Sequence, residues 1–347
     1  MIKVLIVDDS AFMRNTLSGM ISADPGISVV GTARNGLEAV EKVSALKPDV
    51  VTMDVEMPVM NGIEALKHIM ARHPVPVLMV SSLTTEDAKV TLDALDLGAV
   101  DFVSKNLSDL SINIVKIKGI LIEKIKAVAR NGRVSGRRPP VPSKPLVMPR
   151  RGIETVHRKI GVVAIGTSTG GPRALQHILG RIPKDFPVPI LIAQHMPAAF
   201  TGPFAERLNQ LSAIEVKEAE HGEPVRKGVA FIAPGIGHMG VTRRKLTETL
   251  ITISEDNGTY IYKPSVDMLM LSVVEYYSGQ VLGVILTGLG SDGSKGMKEI
   301  KNKGGMTIAE SRETCVVYGM PRAVVEAGIA DKIAPLDEIA GEIINSV

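Results

Sequence analysis

The first third of the chain alternates short apolar runs with longer segments in which apolar residues recur at helical spacing. Apolar runs of this length predict buried strands, and the helical period predicts amphipathic helices between them. Strands and helices that alternate in this way are typical of a doubly wound parallel sheet. The predicted strands are 3–7, 28–32, 49–53, 76–81 and 100–103, and the predicted helices are 12–22, 36–46, 62–72, 87–97 and 112–128.

A segment of different composition separates this region from the rest of the chain. Residues 131–159 contain five prolines and eight lysines or arginines, with Glu154 as the only acidic residue. Such a composition predicts an extended, solvated linker. A basic tract that binds nucleic acid or an acidic partner is the alternative interpretation. The predicted organisation is therefore a first domain at 1–127, a linker at 128–159 and a second domain at 160–347.

The alternation of strands and helices resumes after the linker. Buried strands are predicted at 160–165, 188–193, 229–233 and 281–286. Residues 241–262 differ, because the segments 241–242, 250–254 and 259–262 flank the turn sequence Asp256-Asn257-Gly258 and predict a β-hairpin. We expect an antiparallel edge on a mainly parallel sheet. The fold class is therefore α/β, with two doubly wound domains.

Composition narrows the functional classes. A length of 347 residues is typical of two domains. The net charge of +3 gives no overall attraction to nucleic acid or membranes, and the absence of tryptophan argues against a platform for stacking bases. A single cysteine, Cys315, excludes an internal disulfide framework. Neither a signal peptide nor a membrane span is predicted, so we expect a soluble cytoplasmic protein with no membrane insertion.

Charged residues follow three of the predicted strands in the first domain. Asp8 and Asp9 come after the first strand, Asp54 after the third and Lys105 after the fifth. The carboxyl ends of parallel strands meet at one edge of the sheet, so these side chains are predicted to share a pocket. A single aspartate after a strand is often part of a turn, and a single lysine is often a surface charge. Their occurrence together at the ends of several strands indicates a functional site.

The chemistry of this pocket suits phosphoryl transfer to a carboxylate. A divalent metal ion would neutralise the charge on both partners, and hard cations prefer oxygen ligands. Asp54 is the predicted nucleophile, and the predicted Mg²⁺ ligands are Asp54, Asp9, Asp8 through a water molecule, and the backbone carbonyl of Glu56. Lys105 is predicted to pair with one phosphoryl oxygen. Ser81, at the end of the fourth strand, is predicted to donate its hydroxyl to another.

The motifs of this region resemble those of a response-regulator receiver domain, which has a flavodoxin-like fold. They read Val-Asp-Asp-Ser-Ala-Phe-Met-Arg at 7–14, Asp-Val-Glu-Met-Pro-Val-Met-Asn-Gly at 54–62 and Gly-Ala-Val-Asp-Phe-Val-Ser-Lys at 98–105. The resemblance implies that Asp54 takes a phosphoryl group from a sensor histidine kinase in the presence of Mg²⁺. One departure is Asn106, where receivers usually carry a proline in the cis form.

A glycine-rich turn marks the start of the second domain. Residues 166–172 read Gly-Thr-Ser-Thr-Gly-Gly-Pro, after a predicted strand and at the start of a predicted helix. Ser168 occupies the middle glycine position of a dinucleotide loop, and the Gly-Lys-Ser/Thr of a phosphate loop is absent. The third interpretation is a nucleophile turn of the form G-x-S-x-G.

Two further residues favour the nucleophile turn. His195 follows the predicted strand 188–193, and Asp292 follows the predicted strand 281–286. Both therefore lie at the same edge of the sheet as Ser168, where His195 can act as the base and Asp292 can orient its imidazole ring. His238 and His221 remain open as alternative bases.

Two more expectations concern the same region. The backbone N–H groups of Thr169 and Leu289, both in glycine-rich loops, are the predicted oxyanion donors. Cys315 could be interpreted as a nucleophile, but its neighbours Val316 and Val317 indicate a small buried hydrophobic residue instead.

The second domain resembles the Rossmann-like catalytic domain of the chemotaxis protein-glutamate methylesterase (CheB) family. The motifs that carry the resemblance lie at 166–172, 194–197, 263–267, 286–293 and 315–321. The family's serine, histidine and aspartate map onto Ser168, His195 and Asp292. In two departures, Gly-Ile-Gly-His-Met at 235–239 replaces the more usual Gly-Asp-Arg-His-Met, and Leu289 stands where methionine is common.

This resemblance implies a function. The family hydrolyses the γ-methyl esters of glutamates on the cytoplasmic helices of chemoreceptors, needs no cofactor for that step, and also deamidates receptor glutamines. The implied partners are a sensor histidine kinase and the receptors. The rival classes are a response regulator whose second domain only binds a partner, a transcription factor, and an esterase with a different substrate. No helix-turn-helix signature follows the linker, so no nucleic-acid partner is expected.

Overall fold

The computed structural model describes residues 1–81, 84–105, 110–131, 160–245, 248–255, 258, 260 and 262–347. The first domain alternates five strands with five helices. In chain order these are β1 Ile2–Val7, α1 Ala11–Ser22, β2 Ile27–Ala33, α2 Gly36–Leu46, β3 Val50–Asp54, α3 Gly62–Arg72, β4 Val77–Ser81, α4 Thr85–Asp96, β5 Asp101–Ser104 and α5 Leu110–Asn131.

The five strands form one parallel sheet in the order β2-β1-β3-β4-β5. Three of the helices have an N-cap side chain. Ser10, Asn35 and Asn61 accept hydrogen bonds from the backbone N–H groups at the N3 positions of α1, α2 and α3. The direction of winding reverses between β1 and β3, so a crevice opens at their carboxyl ends. The predicted doubly wound parallel sheet is confirmed.

Helix α5 extends through Asn131, so the first four residues assigned to the linker are helical. The rest of the predicted linker, 132–159, and the loop residue Asn106 lie outside the described residues. Within the described ranges, none of the helices combines the length and apolar character needed to cross a bilayer.

The second domain contains nine strands and six helices among its described residues. They are β6 Val162–Thr167, α6 Gly171–Leu179, β7 Ile190–Gln194, α7 Ala198–Leu211, β8 Glu215–Glu218, β9 Val229–Ile232, β10 Gly237–Lys245, β11 Glu248–Glu255, α8 Val266–Tyr277, β12 Val281–Ile285, α9 Ser294–Asn302, β13 Met306–Glu310, α10 Met320–Glu326, β14 Lys332–Ala334 and α11 Leu336–Ser346.

Seven of these strands form a parallel sheet in the order β14-β13-β12-β6-β7-β9-β8. The central strand, β6, has β12 on one side and β7 on the other, so the loops that follow these three strands share one crevice. The four buried strands predicted from the sequence correspond to β6, β7, β9 and β12. The short strands β8, β13 and β14 were not predicted.

The antiparallel hairpin is present, although its details differ from the expectation. Strand β10 pairs with β11, with Gly237 opposite Glu255 and Thr242 opposite Leu250. Strand β10 ends at Lys245 and β11 runs from Glu248 to Glu255, so Asp256-Asn257-Gly258 comes after the second strand instead of between the two. The hairpin is also a separate two-stranded sheet beside the seven-stranded sheet and does not extend its edge.

Candidate functional site

The structure brings the charged residues of the first domain together at the carboxyl end of its sheet. Lys105 Nζ lies 2.9 Å from Asp8 Oδ2 and 2.5 Å from Asp54 Oδ2. One carboxylate oxygen from each of Asp8, Asp9 and Asp54 lies within 4.8 Å of the others. Three acids and one lysine therefore share a single pocket.

Burial sets the electrostatics of this pocket. Asp54 is only 4% exposed, and its burial raises the pKa of the carboxyl group to about 6, against the lowering effect of Lys105. Burial also acts to lower the pKa of Lys105, but the ion pairs with Asp54 and Asp8 outweigh it, so that pKa is raised. Lys105 therefore remains a cation and compensates part of the negative charge.

The pocket fits a divalent cation. Its donors are hard carboxylate oxygens close enough to share one ion, which is the chemistry that Mg²⁺ prefers. Arg14, which the sequence reading did not single out, supports the two N-terminal acids: its Nη1 donates to the backbone carbonyls of Asp8, at 2.8 Å, and Asp9, at 2.9 Å. Glu56 has an exposed side chain, and its predicted role rests on the backbone carbonyl alone.

Ser81 adjoins the pocket and also contacts helix α4. Its carbonyl accepts a hydrogen bond from the Lys105 N–H, at 2.7 Å. Its hydroxyl accepts a hydrogen bond of 2.8 Å from Thr91 Oγ1, a buried residue of α4. Ser81 therefore links the acidic pocket to the helix that faces the second domain.

In the second domain, the ends of β6, β7 and β12 bring Ser168, His195 and Asp292 into one crevice. Imidazole Nε2 of His195 lies 2.8 Å from Asp292 Oδ2, and the His195 N–H donates to the carbonyl of Thr167, the residue before Ser168, at 3.2 Å. All three side chains are at most 9% exposed. The crevice therefore contains a histidine paired with a carboxylate, and its backbone is hydrogen-bonded to the residue that precedes Ser168.

The orientation of the imidazole ring is unusual for such an arrangement. In the common serine-protease triad, Nδ1 faces the aspartate and Nε2 faces the serine. Here Nε2 faces Asp292, so Nδ1 is the ring nitrogen that remains for a second partner. This Nδ1 is buried and accepts no hydrogen bond from any described residue. Tyr262 stacks on the ring with a centroid distance of 4.4 Å and an interplanar angle of 7°.

The N-terminus of helix α8 holds Asp292 in its ionised form. The N–H groups of Val266, at 2.8 Å, and Asp267, at 3.0 Å, donate to its carboxylate, as does the hydroxyl of Ser265, at 3.1 Å. Burial acts to raise the pKa of Asp292, but the hydrogen bonds from His195 and from the helix outweigh it, so the pKa is lowered. Asp292 can therefore stabilise a positive charge on His195.

The alternative bases occupy other positions. His238 is 2% exposed, and its Nδ1 accepts a hydrogen bond of 3.0 Å from the Ser265 N–H. His221 is exposed and accepts a hydrogen bond of 3.0 Å from the Ile253 N–H on the hairpin. Among the three candidates, His195 is the histidine paired with Asp292.

Cys315 is buried, as its apolar neighbours indicated. Burial, followed by the charge of Glu310, raises the pKa of its thiol well above the ordinary range. A thiol held in its neutral form is a poor nucleophile.

The predicted oxyanion donors lie in the loops on either side of Ser168. The N–H groups of Thr169 and Leu289 donate no hydrogen bond within the part of the chain that the structure describes. The Thr169 carbonyl accepts a hydrogen bond of 2.9 Å from Thr287 Oγ1, which connects the two loops. Two N–H groups are therefore available beside the serine.

The two domains contact each other beside this crevice. Phe102 of β5 stacks on Phe200 of α7, with ring centroids 4.4 Å apart. Arg207 of α7 forms ion pairs with Asp93, at 2.6 Å, and with Asp96, both on α4. The charge of Glu123 on α5 contributes to raising the pKa of Tyr262, after the larger effect of burial. Elements of the first domain therefore reach the residues around His195.

Fold and sites together define a two-domain class: a receiver-type domain with an acidic pocket, joined to an α/β domain with a serine, histidine and aspartate cluster. Comparison with known proteins agrees with this class. A family model described as the response regulator receiver domain matches residues 4–114, and one described as CheB methylesterase matches residues 163–343. The chain belongs to the CheB methylesterase family.

Full-length relatives and a solved structure support the assignment. The chain is 52% identical to the protein-glutamate methylesterase/protein-glutamine glutaminase 1 of Oleidesulfovibrio alaskensis and 50% identical to enzyme 2 of Nitratidesulfovibrio vulgaris, each over the whole of both chains. The crystal structure of the Thermotoga maritima CheB methylesterase catalytic domain is 42% identical, with a TM-score of 0.53. It covers 55% of this chain and 100% of the solved one.

Proposed function

We propose that the chain is a phosphorylation-activated serine carboxylesterase that hydrolyses the γ-methyl esters of glutamates on chemoreceptors and releases methanol. The observation that carries the proposal is the His195–Asp292 pair beside Ser168, with two available N–H groups in the adjacent loops. The names of the full-length relatives supply the substrate class.

The proposed chemistry follows from the positions of these groups. Ser168 Oγ attacks the ester carbonyl and gives its proton to Nδ1 of His195, and Asp292 stabilises the imidazolium through Nε2. The N–H groups of Thr169 and Leu289 bind the oxyanion. The protonated His195 then donates to the departing methoxide, so methanol leaves and an acyl-enzyme remains. Water activated by the same histidine hydrolyses it and regenerates the serine.

The same steps apply to a receptor glutamine. Its side-chain amide presents the same acyl group, and the leaving group becomes ammonia instead of methanol. The relatives are named as glutaminases as well as methylesterases. We therefore propose that the chain also deamidates receptor glutamines at the same serine.

The first domain is the proposed switch. Asp54 accepts a phosphoryl group from a sensor histidine kinase, and Lys105 and Ser81 bind its oxygens. A bound Mg²⁺ held by Asp8, Asp9, Asp54 and the carbonyl of Glu56 would supply charge neutralisation. The proposed substrates lie on cytoplasmic receptor helices, so the cytoplasm is the proposed site of action.

The two domains are proposed to be coupled by steric cover. Helix α4 and strand β5 contact α7, which begins three residues after His195, and the charge of Glu123 on α5 acts on Tyr262, which stacks on His195. An enzyme that was always active would erase the methylation signal of the receptor. We infer that the first domain restricts access to Ser168 until phosphorylation of Asp54 changes the interface.

The triad can be tested by methanol release from methylated receptor membranes. Ser168→Ala should abolish turnover, and His195→Ala and Asp292→Asn should each reduce kcat by at least about 10³-fold, because the three residues act as a unit. His221→Ala is the matched control, because this exposed histidine hydrogen-bonds to Ile253 of the hairpin and is not the histidine paired with Asp292. Turnover by Ser168→Ala at the wild-type rate would refute the mechanism. Full activity of His195→Ala with loss in His238→Ala would reassign the base.

The switch can be tested by mass spectrometry after treatment with Mg²⁺ and a small phosphodonor. The phosphoryl group should be found on Asp54, and Asp54→Asn should take up none. A phosphoryl group on Asp9 in the wild-type protein would contradict the assigned roles.

A further inference from the structure

Gln194, the last residue of β7, lies between the proposed nucleophile and the proposed base. Its side chain is buried, with the residue 2% exposed. The single amide nitrogen Nε2 donates two hydrogen bonds of 3.0 Å, one to the carbonyl of Ser168 and one to the carbonyl of His195. One side chain therefore ties together the backbones of the two residues that exchange a proton.

The first of these carbonyls belongs to the peptide group that also contains the Thr169 N–H. A peptide group is planar, so a fixed direction of its C=O also fixes the opposite direction of its N–H. The Ser168 carbonyl accepts from Gln194 Nε2 and from the Gly171 N–H, the latter at 2.8 Å. A hydrogen bond to the carbonyl also polarises the peptide, which makes its N–H a stronger donor.

The second proposed oxyanion donor is built in the same way. The Leu289 N–H belongs to the peptide group whose carbonyl is that of Gly288. This carbonyl accepts hydrogen bonds from the N–H groups of Gly319, at 3.1 Å, and Met320, at 2.9 Å. Each proposed oxyanion peptide thus has two donors on its carbonyl, and Gln194 is the one side chain among these four donors.

The other end of the Gln194 amide argues against a purely structural role. Its Oε1 is buried and has no hydrogen-bond partner among the described residues. A buried carbonyl without a partner costs about 1–3 kcal/mol of stability. A residue that served only to stabilise the fold would not carry this cost, whereas a residue that orients a catalytic peptide could.

We propose, on the basis of the esterase function above, that Gln194 is a positioning residue that aims the Thr169 N–H at the oxyanion and holds it in register with His195. Gly171 provides the space for this arrangement. A methyl group at position 171 would overlap Gln194 Oε1 and Thr167 Oγ1. The helix therefore begins with a residue that leaves room for the amide.

The test compares Gln194→Met with Thr307→Val in the full-length protein. Methionine has a similar length and shape but donates no hydrogen bond. Thr307 is a matched control, because it is fully buried in β13, and its hydroxyl forms hydrogen bonds of 2.7 Å to the Ile329 carbonyl and 3.0 Å from the Asp331 N–H. Steady-state methanol release gives kcat and KM, and the rate of Ser168 labelling by a fluorophosphonate gives a second readout that does not depend on the receptor.

Loss of an oxyanion donor costs about 10²–10³-fold in kcat, so a misaligned donor should cost about 10–100-fold. We expect Gln194→Met to lower kcat and the labelling rate by this factor, with KM changed less than about threefold. Thr307→Val should lower the melting temperature and leave kcat within about twofold. A Gln194→Met protein with wild-type kcat and labelling rate would overturn the proposal, as would an equal loss of kcat in Thr307→Val.

Two further points keep the test decisive. If Gln194→Met is not recovered in folded form, Gly171→Ala replaces it, since the added methyl group displaces the same amide and should give the same loss. A wild-type protein that labels with fluorophosphonate but releases no methanol would refute the proposed substrate. The labelling rates of the variants would still decide the role of Gln194.

Discussion

Glu310 is a fully buried carboxyl group close to the Ser168 loop. Its Oε2 accepts a hydrogen bond of 2.7 Å from the Thr287 N–H, and the Thr287 carbonyl in turn accepts one from the Ser168 N–H. Its Oε1 accepts from the Thr314 hydroxyl, at 3.0 Å. Burial raises the pKa of Glu310 to about 7, against the effect of these hydrogen bonds. The ionised form is therefore disfavoured in the folded protein.

This leads to a prediction about stability and pH. The folded pKa lies above the unfolded value of 4.5, so the stability contributed by protonated Glu310 is complete below pH 4.5 and is lost as the pH rises through about 7. Glu310→Gln keeps the group neutral at every pH. The substitution should therefore raise the free energy of unfolding by on the order of 2–3 kcal/mol more at pH 8.5 than at pH 4.5. Melting temperatures at both pH values, with the exposed Glu326→Gln as control, provide the measurement. An equal effect of Glu310→Gln at the two pH values would contradict it.

At the residue scale, the sequence predicted those groups whose position follows from a strand end. Asp54 directly follows an apolar run, and Lys105 and Asp292 come two and six residues after theirs. The topology of a parallel sheet is therefore enough to bring them to its edge. Tyr262 and Gln194 were not predicted as site residues. Tyr262 stacks on His195 and Gln194 donates to the Ser168 carbonyl, and both contacts depend on tertiary packing. The available signals were that Tyr262 directly precedes the motif at 263–267 and that Gln194 is the first residue of the motif at 194–197.

Helix α7 carries the polar part of the contact between domains. Arg207 forms ion pairs with Asp93 and Asp96 of α4, and both aspartates are substantially exposed. Exposed ion pairs contribute about 0.2–1 kcal/mol each. Arg207→Gln should therefore weaken the proposed cover and raise the activity of the unphosphorylated full-length protein by about 2–5-fold. The assay is methanol release at low ionic strength.

Arg226→Gln is the matched control for this change. Arg226 pairs with Glu215, at 2.9 Å, and both residues belong to the second domain. Its activity should stay at the wild-type level. An Arg207→Gln protein with unchanged basal activity would mean that these ion pairs do not hold the cover in place.

At the element scale, local signals located the helices of the first domain well. Helices α2 and α3 begin and end where predicted, because each has an asparagine cap and a clear helical period. The hairpin turn was misplaced, because Asp256-Asn257-Gly258 is a strong turn sequence, whereas the pairing of β10 with β11 is set by contacts across the strands. Strand β14 has three residues, too few for a clear pattern, so its place in the sheet comes from its neighbour β13.

At the scale of the whole molecule, the prediction concerns the coupling between the first domain and the crevice of the second domain. If the first domain covers the crevice, residues 160–347 alone should release methanol faster than the unphosphorylated full-length protein at equal concentration. A coupling free energy of 1–3 kcal/mol corresponds to about 5–150-fold. The phosphorylated full-length protein should release methanol at a rate close to that of the fragment.

The comparison depends on a folded fragment, so circular dichroism and the fluorophosphonate labelling of Ser168 serve as controls. A fragment that labels normally but is markedly slower on receptor membranes would mean that the first domain activates catalysis. The cover would then be the wrong description of the interface.

The Phe102–Phe200 stack has a spectroscopic consequence. The chain contains no tryptophan, so a single indole introduced by Phe200→Trp would be the sole emitter in its spectral range. Phe200 is fully buried, and its stacking partner belongs to the other domain. If the domains separate on phosphorylation, the emission should shift to longer wavelength when Mg²⁺ and a phosphodonor are added, and Asp54→Asn should abolish the shift. The absence of tryptophan background thus makes this junction an optical reporter of the switch in real time.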